Sequence, residues 1–549
     1  MIARLASIFL VLMLALGQTS GSPQTDSPYK VAGVVVDSTS GQPLQDVEVS
    51  IYNSENREIT RHGMTSSDGR FIFTSVPAGK YSLMGAAHGY RAQGFRQHGD
   101  FFIGIAVGPD LDSEHIAFRL FADARIEGKV LDDTGEPVRQ ASVSLYVRNT
   151  DSGRQLTRQL TSAVTDDRGH YLFGHLAPGT YFISVSARPW YAQYSNPTEP
   201  PPDPASAARI AEERAQLDMA YSLTFYPSAE DSSGATPIVL HAGDKVSADI
   251  AMQAVPAVHL HIQDKENSGS LSNAVRGFPR LSQRIFEGTV VPVGVAQASS
   301  ASPNSYDYTG IAPGHYIVEL PDSSRPGRAG WYKEMDLNGS VELNPSDSPP
   351  LVSVSGTLAL EVTERRPPGQ IYIMLANRAT SESFIAEVKA NGAFEFSESD
   401  IRPGTYDLVI QNTPGYQVKA LTATGAQVSG LSIQITASRV QLSVVATHAV
   451  AHLTGVVLDG DKPYPGAMVV LVPRASGSSP ILFRRDQSDS DGTFNLLEVV
   501  AGSYLAIAIE DGWDLDWASS SVLQPYLKNA TPVEVNGEQK LNIKVQLQR

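Results

Sequence analysis

The sequence contains no cysteine. That excludes disulfide frameworks, thiolate metal sites, cysteine nucleophiles and a lipid-bearing N-terminal cysteine. Charge is sparse: 18% of the 549 residues are Asp, Glu, Lys or Arg, against about 25% in a typical soluble protein. Lys and Arg number 42 against 58 Asp and Glu, a net charge of −16. An acid surplus argues against nucleic acid and against an anionic membrane surface, since both need a basic face. Beyond the first seventeen residues no stretch approaches the roughly 20 apolar residues of a bilayer span, so no transmembrane segment is expected. Signatures of catalysis are missing too: there is no G-x-S-x-G, no H-E-x-x-H and no P-loop. Gly 45 and Pro 35 are plentiful. At about 15% together they call for many turns without reaching the composition of a disordered chain.

Met1 to Gly17 has the three parts of a secretory leader. Arg4 is the basic region, Leu5 to Leu16 the apolar core, and Ala15-Leu16-Gly17 places small residues for cleavage before Gln18. The expectation is export to the periplasm or the cell exterior. An exported protein without disulfides must then be held by hydrophobic cores alone.

Internal repetition is the strongest positive signal. One phrase recurs five times, closing on Tyr81, Tyr181, Tyr316, Tyr406 and Tyr504, which lie 100, 135, 90 and 98 residues apart. Its first copy reads Asp68-Gly-Arg-Phe71-Ile-Phe73…Val76-Pro-Ala-Gly79-Lys-Tyr81. Asp-Gly or Asn-Gly supplies a tight turn, Phe-x-Phe puts two rings on one strand face, and a second Gly turn sends the chain back. A second phrase, Val31-Ala-Gly33-Val…Gly41-Gln-Pro43…Val47-Glu-Val49, precedes it and returns from Ile126 and from Leu453. Roughly seven short strands per unit, with turns every 8–12 residues, predict an antiparallel sandwich.

The fold class expected is therefore all-β, a tandem array of about five antiparallel β-sandwich domains over 29–121, 124–253, 257–345, 350–445 and 449–549. The third is the most divergent, because its first half lacks the second phrase. The second carries an insertion, 196–220, whose Pro-rich start is stiff and whose Ala-, Glu- and Arg-rich end predicts a short helix. Linkers are very short, which predicts a semi-rigid rod or arc.

On these two phrases the chain resembles the carboxypeptidase regulatory-like domains, prealbumin-like sandwiches related to Cna-B and starch-binding-like modules. The resemblance implies an accessory, non-catalytic module. The zinc peptidase that gives the family its name uses a His-x-x-Glu pair, and none of the twelve histidines here is followed three residues later by Glu. An enzyme is not expected, nor a cofactor.

Aromatic residues mark the candidate ligand site. Past each repeat tyrosine comes a segment with one or two large rings: Tyr90; Trp190 and Tyr191, then Tyr194; Trp331 and Tyr332; Tyr416; Trp513 and Trp517. All four tryptophans fall there. Loops carry function more often than strands, and flat rings beside polar groups suit sugar faces, peptides or a neighbouring domain. The competing reading is that each ring caps its own core or packs in a joint. The partners expected are a glycan or an envelope protein, and the similarity to starch-binding-like sandwiches favours carbohydrate or another envelope polymer. A structural or protein-interaction scaffold, with edge strands free for strand addition, is the alternative.

Two metal candidates are weaker. His259-Leu-His261 puts two imidazoles on one strand face, one ligand short of a catalytic zinc. Asp489 and Asp491 before Gly492 have the alternation of a calcium loop, yet Asp-Gly is the ordinary hairpin turn of the repeat. No metal is expected at either.

Overall fold

The computed structural model describes residues 29–549 apart from 55–58, 151–152, 193–202, 264–277, 287–288, 294–296, 299–304, 322–328, 345–351, 362–368, 378–382, 397–400, 414–415, 449, 476–481 and 538. The leader, Tyr194 and the first part of the insertion lie outside the described residues.

Each repeat phrase folds as its residues dictate. The turn glycines Gly69, Gly169 and Gly492 sit at φ +74°, +73° and +76°, a conformation that favours residues without a Cβ. Even a methyl there would lie 2.7 Å from the Val35 carbonyl in the first case and 2.6 Å from that of Val130 in the second. After the turn, Phe71 and Phe73 are buried and Ile72 is exposed; Tyr171, Phe173 and Leu172 repeat the pattern. The closing tyrosines are all buried. Each donates its hydroxyl to the carbonyl four residues back: Tyr81 to Pro77 (3.1 Å), Tyr181 to Ala177 (2.8 Å), Tyr316 to Ala312 (2.6 Å), Tyr406 to Arg402 (2.9 Å) and Tyr504 to Val500 (3.0 Å). A tyrosine can thus fill a core and satisfy its polar tip within its own turn.

The result is five β-sandwiches in tandem. In unit 1, Tyr29–Asp37 lies between Arg70–Val76 and Ile116–Leu120, facing a sheet ordered Ile59–Met64, Glu48–Asn53, Gly79–Ala86, with Gln93–Gly94 and Gly104–Val107 beside the last. Unit 2 repeats this with Ala124–Leu131 facing Leu156–Val164, Ser142–Asn149 and Gly179–Ser186. Each unit has its own core, built around Phe71, Phe73 and Tyr81; Tyr171, Phe173 and Tyr181; Tyr308 and Tyr316; Phe394, Phe396 and Tyr406; and Phe494 and Tyr504. The divergent third unit is complete in this sense. In unit 5, Lys540–Gln548 pairs with strands of both layers and joins them into one eight-stranded sheet.

The sheets are not wholly antiparallel. The first strand of every unit pairs in parallel with one of its last: Tyr29–Asp37 with Ile116–Leu120, Ala124–Leu131 with Lys245–Ser247, Val258–Gln263 with Val341–Leu343, Ser353–Glu361 with Arg439–Thr447, and Val450–Asp459 with Lys540–Gln548. A chain that finishes a unit in the direction it began leaves at the far end, which suits a tandem array. A first-strand glycine permits the close approach in four units: a Cβ on Gly33, Gly128, Gly356 or Gly455 would stand 2.1–2.5 Å from a carbonyl oxygen in, or for Gly128 just past, that last strand.

The insertion helix spans Pro204–Leu217, where the sequence predicts 205–220. Asp203 caps it, accepting from the amides of Ala205 (3.0 Å) and Ser206 (2.9 Å), and Pro204 occupies the first turn. A second short helix, Ser520–Leu523, followed by a 3-10 segment Gln524–Asn529, was not expected from composition.

Neighbouring units touch in order. Asp123 meets His175 at 2.6 Å within the first joint, and Phe286 of unit 3 packs among Tyr146, Phe182 and Phe225 of unit 2. Arg402 reaches Glu319 at 2.6 Å between units 4 and 3, and Gln417 reaches Glu498 at 3.1 Å between units 4 and 5. The expected rod or arc is corrected at this point: unit 5 also packs on units 1 and 2, so the chain closes on itself. Linker length limits how far adjacent units separate but says nothing of complementary side chains four hundred residues apart.

Candidate functional site

The closing joint is built from one turn, one edge strand and one loop of unit 5. The turn is Ser488-Asp489-Ser490-Asp491-Gly492. Asp489 accepts the ammonium of Lys80 and the amide of Gly104 (2.9 Å). The Ser490 amide donates to the Gly104 carbonyl (3.0 Å), and its hydroxyl accepts from the Ala106 amide (2.8 Å). Gly104–Val107 is an edge strand of unit 1, so the turn covers backbone groups that would otherwise be bare. Lys80 also donates to Thr493 Oγ1 (2.5 Å) and lies 3.8 Å from Asp491. A lysine thus stands where the sequence places a candidate cation, and Asp489 and Asp491 are its partners.

Beside the turn, aromatic rings stack. The His98 imidazole lies flat on Trp513 at 4.7 Å and 7°. Phe101 approaches the same indole at 5.9 Å. The Arg485 guanidinium lies over three rings, Phe101 (4.8 Å), Trp513 (5.4 Å) and Trp517 (4.7 Å), as cation–π geometry requires. Unit 2 completes the joint. Trp517 Nε1 donates to the Thr150 carbonyl and Thr150 Oγ1 to the Trp513 carbonyl, both at 2.8 Å. The Ala518 amide donates to Gly153 O (2.9 Å).

Burial sets the electrostatics. Desolvation pushes the Asp489 carboxyl above its ordinary range, against the pull of Lys80. The ion pair therefore fixes the register of the joint more than it stabilises it. Burial raises Asp486 to about 6, with the Asn495 and Gln487 amides pulling the other way. Burial also lowers His98, opposed by Asp511, so its ring is neutral at pH 7.

The predicted ring residues therefore fall into different environments. Trp513 is only 9% exposed, and its Nε1 is buried without a partner. Trp517 is half-buried in the same joint. Tyr416 is buried, edge-on to His448 at 5.2 Å. Trp331 is half-buried against the unit 3 core; with Tyr332 it lies on the strand Ala329–Leu337 rather than in a loop. Tyr90 is half-buried and donates to Asp37 at 3.1 Å. Trp190 is 81% exposed, with Tyr191 perpendicular to it at 5.8 Å. Among the rings whose side chains are described, those of Tyr416, Trp513 and Trp517 face cores and joints, Tyr90 and Trp331 are half-buried, and Trp190 presents a wide-open face.

The histidine pair is divided between two carboxylates, His259 with Asp218 (2.7 Å) and His261 with Asp307 (2.6 Å). Among the described residues no three His, Asp or Glu side chains gather as metal ligands do. No described helix is long and apolar enough to cross a membrane. Sequence reasoning missed Lys80, His98, Phe101, Thr150 and Arg485. One signal was available: the residue before each repeat tyrosine is Thr180, His315, Thr405 or Ser503, and only unit 1 has a lysine there.

The family profile of the carboxypeptidase regulatory-like domain matches residues 30–99 and 125–211. These are the larger parts of units 1 and 2, less than a third of the chain. No curated protein sequence matches. Among solved structures the chain is similar to a streptococcal ancillary pilin, with 13% identity over 53% of this chain and 98% of that one and a TM-score of 0.18. It is similar to the Bacillus anthracis TIE protein at 9% identity, covering 95% and 68%, TM-score 0.15. Two B repeat units of the collagen binding protein of Staphylococcus aureus follow at 10% identity, 76% and 99%, TM-score 0.12. Scores of this size carry no information on function or on how the units are arranged.

Proposed function

We propose that the protein is an exported, non-catalytic scaffold of five sandwiches, divided near 121/124, 253/257, 345/350 and 445/449, that holds surfaces in fixed relation for another envelope component. The observation carrying this reading is the joint of units 1, 2 and 5, in which Trp513, Trp517, Phe101 and Arg485 serve the chain's own closure. Rings committed to a joint leave no row of stacking faces for a polymer. The leader supports export, and the absence of catalytic motifs supports a binding or structural role. The experiment is a glycan array with the mature protein. The scaffold reading expects no glycan signal that depends on Trp513.

A second reading, carbohydrate binding, is favoured by one observation: Trp190 and Tyr191 form an exposed right-angled corner. On that reading Trp190→Ala removes array binding, while a variant outside the corner leaves it unchanged.

A further inference from the structure

Three units share a hydrogen bond that aligns one end of each sandwich residue by residue. On the first strands, Val35, Val130 and Val457 each donate their amide to the carbonyl of the turn glycine, Gly69 (2.8 Å), Gly169 (2.9 Å) and Gly492 (2.8 Å). Two residues further on stands a carboxylate: Asp37, Asp132 and Asp459. In unit 1 Asp37 accepts the Tyr90 hydroxyl (3.1 Å). In unit 5 Asp459 accepts a guanidinium, that of Arg549 (2.7 Å), which also donates to Glu510 (2.9 Å). At this end of unit 5 two carboxylates thus hold one arginine.

Unit 2 has carboxylates at the same end. Asp132 is buried, and its Oδ1 accepts the amides of Thr134 (3.0 Å) and Glu136 (2.8 Å). The loop fixed in this way leaves Asp133 and Glu136 exposed, and neither forms an ion pair among the described residues. Tyr191 and Tyr221 stand beside them: burial raises both hydroxyls, and the negative charges of Asp132 and Asp133 raise them further. Tyr191 in turn packs perpendicular to Trp190 at 5.8 Å, and Trp190 is 81% exposed. An open indole face therefore lies at the end of the sandwich that carries unpaired negative charge.

Ring and charge together narrow the occupant. Sugar hydroxyls can donate to carboxylates, but a guanidinium also neutralises them and lies flat on an indole. The chain already holds arginine in both ways, Arg485 over Trp513 (5.4 Å) and Trp517 (4.7 Å), and Arg549 on Asp459. We infer that the Trp190–Tyr191 corner, with Asp133 and Glu136, receives an arginine side chain from a basic segment of another protein. Its guanidinium lies on the indole face and donates to the carboxylates. The inference rests on the scaffold reading and gives it a class of partner.

The test is fluorescence anisotropy of the whole protein with a labelled seven-residue peptide of alternating glycine and arginine. Saturable binding is expected. It should weaken at least tenfold with Trp190→Ala and, separately, with Asp133→Asn combined with Glu136→Gln, exposed changes whose folding is checked by circular dichroism. Glu48→Gln combined with Glu114→Gln removes the same charge from exposed positions of unit 1 and should leave binding unchanged. Three results overturn the inference: no saturable binding, indifference to either unit 2 variant, or equal weakening by the unit 1 pair, which would assign the binding to net charge. Neutral-glycan binding that Trp190→Ala removes, with no peptide binding, also overturns it by assigning the corner to carbohydrate. Failure here leaves the closure of units 1, 2 and 5 untouched, and that closure is measured separately.

Discussion

Five tyrosine hydroxyls, each bonded to a carbonyl four residues back, explain why the closing residue of the phrase is Tyr and not Phe. Loss of such a bond costs about 1 kcal/mol. Tyr504→Phe is expected to destabilise unit 5 by that amount, and Tyr504→Ala by about 3–5 kcal/mol, both read from denaturant midpoints. Asp486 supplies a pH dependence. Its folded pKa of about 6 lies above the ordinary 3.8, so the folded state binds more protons between those values. Stability from this group is present at low pH and falls as pH rises from about 4 through 6. Asp486→Asn should therefore raise the melting temperature at pH 7.5, by the equivalent of roughly 3 kcal/mol at most, and change it little at pH 4. An equal gain at both values would contradict the assignment. His98, lowered from its ordinary 6.5 by burial, acts oppositely: the unfolded ring takes up its proton first, so stability from this group is present above 6.5 and falls as pH drops below it.

At the scale of strands, the parallel pair at the heart of units 1, 2, 4 and 5 makes the first-strand glycine indispensable. A Cβ on Gly128 would lie 2.2 Å from the Ala248 carbonyl, whereas one on Gly174 would meet nothing within 4 Å. Gly128→Ala is expected to cost about 2–4 kcal/mol, and Gly174→Ala under 0.5 kcal/mol, by the same unfolding measurement. Much at this scale was legible beforehand. Phe71-Ile72-Phe73 announced one buried face and one exposed residue, and Asp68-Gly69 announced the turn. What could not be read was the direction of pairing of the last strand, since alternation fixes faces and not neighbours. The aromatic segments were legible as a class and ambiguous in environment. Burial of Trp513 depends on His98 and Phe101, which no local pattern places beside it, and Trp331 proved to lie on a strand because its flanks pair with Gly314–Pro321.

For the whole molecule, closure is the central claim. Units 1 and 2 grip unit 5 through a turn on an edge strand, an arginine over three rings and a neutral histidine on an indole. Trp513 sits at the centre, and Trp513→Ala should separate the joint. The complete lack of cysteine makes the decisive measurement clean. Asp100 and Asp514 are exposed and flank the His98–Trp513 stack, so spin labels on Asp100→Cys and Asp514→Cys report the joint alone. Double electron–electron resonance should give one short, narrow distance in the otherwise native protein, which becomes broad and long when Trp513→Ala is added. A broad, long distribution with Trp513 in place would contradict closure.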